Sequence, residues 1–234
     1  MLASIALFWA VVSTPARIAA EEAVERARYA FVIGAKPPFE RQYPHEVFVN
    51  RVHDEQEREA ILRRTYAVRI TAEYLHDEYA RIEKATQAPE QWRAIKAALH
   101  DDRQLIEEVI CRPILVDRAL RAKYAFDPVL HGAAHQKARE ARAELLAGRT
   151  PAGTFVTTIA RSSQADVPGG REAAALFETQ LREPGDVSNI LEYGDRFEVY
   201  RLIDVSTEAW RVETIRIPKQ PFDVWYETVS RQPR

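Results

Sequence analysis

Cysteine is the scarcest informative residue in this chain. With one among 234 residues, no disulfide framework within the chain is available. That residue, Cys111, lies in the apolar row Leu105, Ile106, Val109, Ile110 and Ile114. The row reads as core packing, and no base stands at nucleophile spacing beside the thiol. Glycine is also sparse, at 8 residues, while alanine, glutamate and arginine are abundant, a balance that favours helix over sheet. A charge excess of either sign is missing. The net charge is -2, with no clustered basic face, so a nucleic-acid partner is not expected. The phrases G-x-G-x-x-G, G-K-[ST] and G-x-S-x-G do not occur, which leaves nucleotide binding and α/β-hydrolase chemistry without an anchor. His-Glu-x-x-His is absent as well, and neither a cofactor nor a metal is expected.

A long apolar run is missing too. Leu2 to Val12 is apolar but too short for a comfortable membrane span. Ser13, Thr14 and Pro15 break it, and Ala16 to Ala20 ends in small residues ahead of Glu21-Glu22. This arrangement fits a secretory signal with cleavage after Ala20, although no Lys or Arg precedes the run. An uncleaved anchor is the alternative. Residues 1–20 therefore form a segment of their own, with membrane association as one expectation and a periplasmic or otherwise exported location as the other.

What is present is mostly helical. Hydrophobic residues make up 46% and charged residues 29%, an ordinary balance for a globular chain able to bury a core. Glu21 to Ile33 can be helical, and Gly34 to Pro38 stops it. A charged helix covers His53 to Arg64. Thr71 suits an N-cap with Glu73 in the first turn, and Leu75, Tyr79 and Ile82 then share one face. Pro89 fits the first turn of the next helix, whose buried stripe is Trp92, Ile95 and Leu99. Asp101-Asp102 caps a third, running to about Tyr124 with a break or kink at Pro113. Asp127-Pro128 starts a fourth, with Ala134, Ala138, Ala141 and Leu145 on one side and Gly148 at its end.

After Gly148 the pattern changes. Thr154 to Ala160 is β-branched and reads as a strand; Pro168 to Gly170 reads as a turn and Arg171 to Leu181 as a short helix. Pro184-Gly185 is another turn. Ser188 to Tyr193 and Phe197 to Val205 are strands around a Gly194-Asp195 hairpin turn, and Trp210 to Lys219 alternates with both faces mixed. Phe197, Val199, Arg201 and Ile203 fall on one side of the closing strand, and Glu198, Tyr200, Leu202 and Asp204 on the other.

Pro184-Gly185-Asp186-Val187-Ser188, then Gly194, then Phe197 to Leu202, resembles the run that closes parvulin-type (rotamase) peptidyl-prolyl isomerases and SurA-like periplasmic chaperones. Ile70 to Leu75 is similar to the phrase that opens the cradle helix of those chaperones, and Ala138 to Gly148 to the first isomerase helix. The resemblance implies a predominantly α-helical α+β protein: a chaperone-like helical region over 21–126 and a parvulin-like module over 127–234. It also implies unfolded polypeptide clients, or alternatively a non-catalytic accessory role with an envelope protein as partner. Two catalytic histidines of the family are unmatched, since Glu198 occupies one position and Asp127 to His131 is not strand-like where the other belongs. Any isomerase activity would then rest on an apolar pocket near Phe197, Glu198 and Tyr200. Such a pocket would lower the barrier of about 18–20 kcal/mol to X-Pro rotation by desolvation.

Several residues have blander readings. His131 and His135 share a helix face, which reads as exposed, since a third metal ligand is missing. The acid pairs Glu21-Glu22, Asp101-Asp102 and Glu107-Glu108 read as capping and solvation. Trp92, Trp210, Trp225, Tyr74, Tyr79, Tyr200 and Tyr226 suit core packing or an apolar groove for extended chains.

Overall fold

The first helix, α1 (Thr14–Tyr29), begins at Ser13, whose hydroxyl accepts from the Ala16 amide, with proline in the first turn. Ser13 to Pro15, read from sequence as a break, is a helix start. A computed structural model describes residues 12–161 and 170–231. Two compact units make up the chain, Met1–Arg121 and Ala122–Arg234, with the division falling inside one helix. The protein is α+β, 58% helical, with a small four-stranded antiparallel sheet. Among the described residues no helix is long and apolar enough to cross a membrane. The proposed turn at Pro168-Gly169 and most of the N-terminal apolar run lie outside the described residues.

In the first unit, a short helix α2 (Phe39–Gln42) and a long α3 (His45–Tyr66) follow α1. Pro44 sets the start of α3, eight residues ahead of where charge density alone begins. Thr71 caps α4 (Ala72–Ala85) through its hydroxyl, and Pro89 opens α5 (Pro89–Ala98), both as the sequence predicts. Asp102 accepts from the Leu105 amide and caps α6 (Arg103–Ile106). The chain then widens into a π-helical turn, Glu107–Cys111, before α7 (Arg112–Ala125). Pro113 has no N–H and its ring crowds the carbonyl one turn back, so the expected kink is absorbed as a π-turn upstream of it. Ala20, Val24, Trp92, Ile95, Leu99, Ile106, Val109 and Ile110 form the apolar core, and Cys111 is fully buried. Burial pushes the Cys111 thiol up to about 12, which keeps it protonated and inert.

The acid pairs are the main correction in this unit. Glu21, Glu107 and Glu108 are buried, not solvated. Glu108 accepts from Arg17 of α1 and, at 2.6 Å, from Arg112, which continues to Glu59 of α3 at 2.9 Å. Glu107 accepts from Arg103 at 2.9 Å and lies 2.7 Å from His76. Arg51 spans Glu21 and Glu25 at 3.2 and 3.1 Å. Each carboxylate thereby ties one helix to another, since a buried charge persists only when paired.

In the second unit, α8 (Gly132–Leu146) begins at His131, four residues past Asp127. Asp127 caps the preceding turn instead, accepting from the Val129 and Leu130 amides. Gly148 ends the helix at φ +75°, where a side chain would be strained. β1 (Phe155–Ala160), α9 (Gly170–Gln180), β2 (Leu191–Glu192), β3 (Arg196–Val205), β4 (Ala209–Pro218) and α10 (Phe222–Ser230) follow. The sheet order is β1-β4-β3-β2, so β4 is central and antiparallel to both neighbours. Helices cover both faces. Ala141 and Leu145 of α8 pack on Val199 and Ile215, while Phe177 of α9 and the adjoining Leu181 pack on Tyr200, Leu202, Trp210 and Val212. That double covering explains why Trp210 to Lys219 shows no polar face. Only Leu191–Glu192 of the expected Ser188 to Tyr193 strand pairs regularly. α10, for which no signal was read, seats Trp225 against Tyr124 at 4.8 Å.

Candidate functional site

The Pro184 to Ser188 phrase does defined structural work. Gly185 adopts φ +102°, and its amide donates to the Leu202 carbonyl at 2.8 Å. Asp186 accepts from the Arg182 and Glu183 amides at 2.8 and 2.9 Å, which holds its carboxyl below the usual range. Ser188 is fully buried and exchanges hydrogen bonds with the Tyr200 backbone, its hydroxyl accepting from the Tyr200 amide at 3.0 Å. The phrase thus lays the chain beside β3 and fixes which face each β3 side chain takes.

Because side chains alternate along a strand, Arg196, Glu198 and Tyr200 share the face covered by α9, and Phe197 points to the α8 side. Glu198 is 2% exposed. One carboxylate oxygen accepts from Arg196 Nε at 2.7 Å and from Arg216 Nε at 2.6 Å. The other accepts from the Tyr200 hydroxyl. Arg216 reaches it because β3 and β4 set Glu198 directly opposite Arg216. Burial opposes ionisation of Glu198, but the Tyr200 hydroxyl and the two guanidiniums outweigh it and hold the carboxyl below its ordinary range. Burial and the Glu198 charge push the Tyr200 hydroxyl upward. Tyr200 also stands edge-on to Phe177 at 4.9 Å. At the rim, Arg196 lies over the Tyr193 ring at 4.4 Å and Arg216 over the Phe155 ring at 5.6 Å.

Chemically, this cluster is occupied. A carboxylate with a depressed pKa and three donors is a poor general base, and a tyrosine held protonated against it is a poor acid. The structure brings Glu198 and Tyr200 into contact and keeps Phe197 away, 5.2 Å from His135 on the other face. Sequence reading missed Arg196, Arg216 and Tyr193. The Gly194-Asp195 turn was a signal for Tyr193 and Arg196, which flank it, whereas Arg216 is placed by the separate turn between β3 and β4.

Around the second face, His131 is 2% exposed, which corrects its reading as a surface histidine. Its Nε2 lies 2.8 Å from the Tyr124 carbonyl, and its ring meets Tyr124 edge-on at 4.9 Å. His135 is half-buried and lines a surface cavity of about 350 Å³ with Arg139, Arg142, Leu146, Asn189 and Ile190. Among the described residues no group of three or more His, Cys, Asp or Glu is placed to hold a metal ion. Comparison with family models, with curated proteins and with solved structures finds no match to this chain.

Proposed function

We propose that this chain is an exported, foldase-like chaperone that holds extended polypeptide segments by many weak contacts and carries no isomerase chemistry of its own. The supporting observation is the closed state of Glu198. It takes the position at which the resemblance implies a catalytic histidine, yet its charge is balanced by Arg196 and Arg216 and its second oxygen accepts from the Tyr200 hydroxyl. The order helix, Gly185 turn, strand, Gly194 turn, strand in the neighbouring segment supports this reading. In this reading β4, central between β1 and β3, stands in for the opening strand of a parvulin-like sheet.

The same reading disfavours cleavage of the 1–20 segment after Ala20. A cut after Ala20 would sever α1 and remove Arg17, the partner of buried Glu108, and Ala20 from the core. Intact-mass analysis of protein made with its export machinery is expected to show residues beyond Glu21 still joined to Arg17. A mature form beginning at Glu21 would refute this.

A second reading, an accessory subunit of an envelope complex, draws on Phe31, Val32 and Ile33, which are 43%, 48% and 98% exposed just after α1. Three assays separate the two: suppression of aggregation of an unfolded client, acceleration of prolyl isomerisation in a peptide, and copurification. Suppression without acceleration is expected. Neither effect, with one partner stably bound, would establish the accessory role instead.

A further inference from the structure

The two edges of the sheet are built differently. At one edge β2 has two residues, Leu191–Glu192, and Glu192 is tied to the buried Lys219 at 2.8 Å. Short length and charge are ordinary guards against further strand pairing. At the other edge β1 runs six residues, Phe-Val-Thr-Thr-Ile-Ala, with no charge and no proline. Its register to β4 is unbroken from Phe155↔Thr214 to Ala160↔Ala209, so no bulge twists it away.

Among the described residues, hydrogen-bond parity shows which backbone groups of this edge turn away from β4. The Arg161 amide donates to the Glu208 carbonyl at 2.8 Å, one step beyond the Ala160↔Ala209 pair. In an antiparallel ladder, bonded and non-bonded pairs alternate, so Phe155, Thr157 and Ile159 turn their N–H and C=O groups toward β4. Val156 and Thr158 turn theirs outward, and both residues are exposed. Side chains alternate with the same period. Phe155, 41% exposed, and Val156, 53% exposed, lie on opposite faces of the strand.

We propose that the edge of β1 from Phe155 to Ile159 takes up an extended, uncharged polypeptide segment as a fifth strand. This rests on the chaperone reading and names how a client is held. Outward main-chain groups at Val156 and Thr158 would pair with any sequence in extended form, and the uncharged side chains select β-branched and aromatic guests. A second copy of the chain is the poorer occupant. Six residues of strand span about 20 Å, whereas a stable pair of proteins needs about 20–30 residues a side.

The test uses the full chain and a fluorescein-labelled peptide of four Thr-Val repeats flanked by lysines, with binding read by anisotropy. Two comparisons follow: the double variant Val156→Lys with Thr158→Lys, and the same peptide N-methylated at every second residue. Each is expected to weaken binding about tenfold or more, because charge guards the edge and methylation deletes donors on one side of the guest. N-methylation needs no change to the protein, so a misfolded variant cannot mimic the result. Equal binding of the plain and methylated peptides would overturn the proposal, as would no binding of the plain peptide. A concentration-dependent dimer abolished by the two lysines would assign the edge to a second copy and overturn it too. If the lysine variant suppresses client aggregation as well as the parent, strand addition fails and the holding function stands. If the peptide binds at this edge but no client is protected, the holding function fails instead.

Discussion

The helical unit and the sheet unit solve the same packing problem with different materials. In the first, helices that are charged on most sides are tied together by buried acids shared between arginines: Glu108 between Arg17 and Arg112, and Glu78 between Arg81 and Arg118. In the second, β3 and β4 bury aliphatic and aromatic side chains on both faces; Glu198 is again shared between two arginines, whereas the buried Lys219 ammonium alone serves several acceptors. The lesson concerns sensitivity. Breaking one ion pair in a shared network leaves the acid another partner, whereas removing a lone buried anchor strands every group it served.

Lys219 offers the strongest test of that difference. Its side chain is fully buried, and its ammonium donates to the Ala125 and Tyr193 carbonyls at 2.6 and 2.7 Å and to Glu192 at 2.8 Å. Lys219→Met leaves two carbonyls unsatisfied, and unfolding monitored by tryptophan fluorescence in denaturant is expected to show a loss of about 3–5 kcal/mol. A smaller loss is expected in the helical unit from Arg17→Ala, about 1–3 kcal/mol, because Arg112 still neutralises Glu108. Equal losses from the two variants would erase the contrast between shared and lone anchors.

How much of this was legible in sequence follows the same divide. Caps are local chemistry, so Thr71, Pro89, Asp102 and Gly148 mark helix ends that the structure reproduces. The strands from Arg196 and Ala209 were likewise visible through β-branching and the Gly194 turn. The buried acids were not, because a glutamate destined for an arginine 91 residues away looks the same as one facing water. For the candidate site the same holds. Glu198 and Tyr200 could be placed on one face by alternation, but Arg216 joins them only through the register of β3 against β4. His131 shows the same failure: a polar residue at helical spacing was read as exposed, yet the turn capped by Asp127 folds it under Tyr124.

Acidity gives a further way to sharpen the comparison, with two carboxyls of the helical unit pulling in opposite directions. Burial, then the neighbouring Glu21 charge, pushes Glu55 up to about 8. Between its ordinary value of 4.5 and about 8 the folded chain keeps a proton that the unfolded chain releases, so stability falls as pH rises through that window. Glu55→Gln is expected to flatten this limb, gaining roughly 1–3 kcal/mol at pH 8 and little at pH 4. An unchanged slope would mean that Glu55 is ionised throughout.

Glu78 supplies the acid limb and the smaller effect. Arg81 and then Arg118 donate to it and lower it to about 2, against the opposing cost of burial. A folded pKa below the ordinary 4.5 stabilises the native chain above that value, and the contribution is lost as pH falls toward 2. Both arginines are half-exposed, at 52% and 53%, so solvent screening reduces the contribution to about 1–2 kcal/mol. Urea unfolding at pH 2.5 and pH 6 tests it: Glu78→Gln should lose stability at pH 6 and converge on the parent at pH 2.5. Added salt at pH 6 should narrow the gap between variant and parent, since the charges that hold Glu78 face water. The same salt should leave the Lys219→Met deficit intact, because that ammonium is sealed from solvent and screening does not reach it.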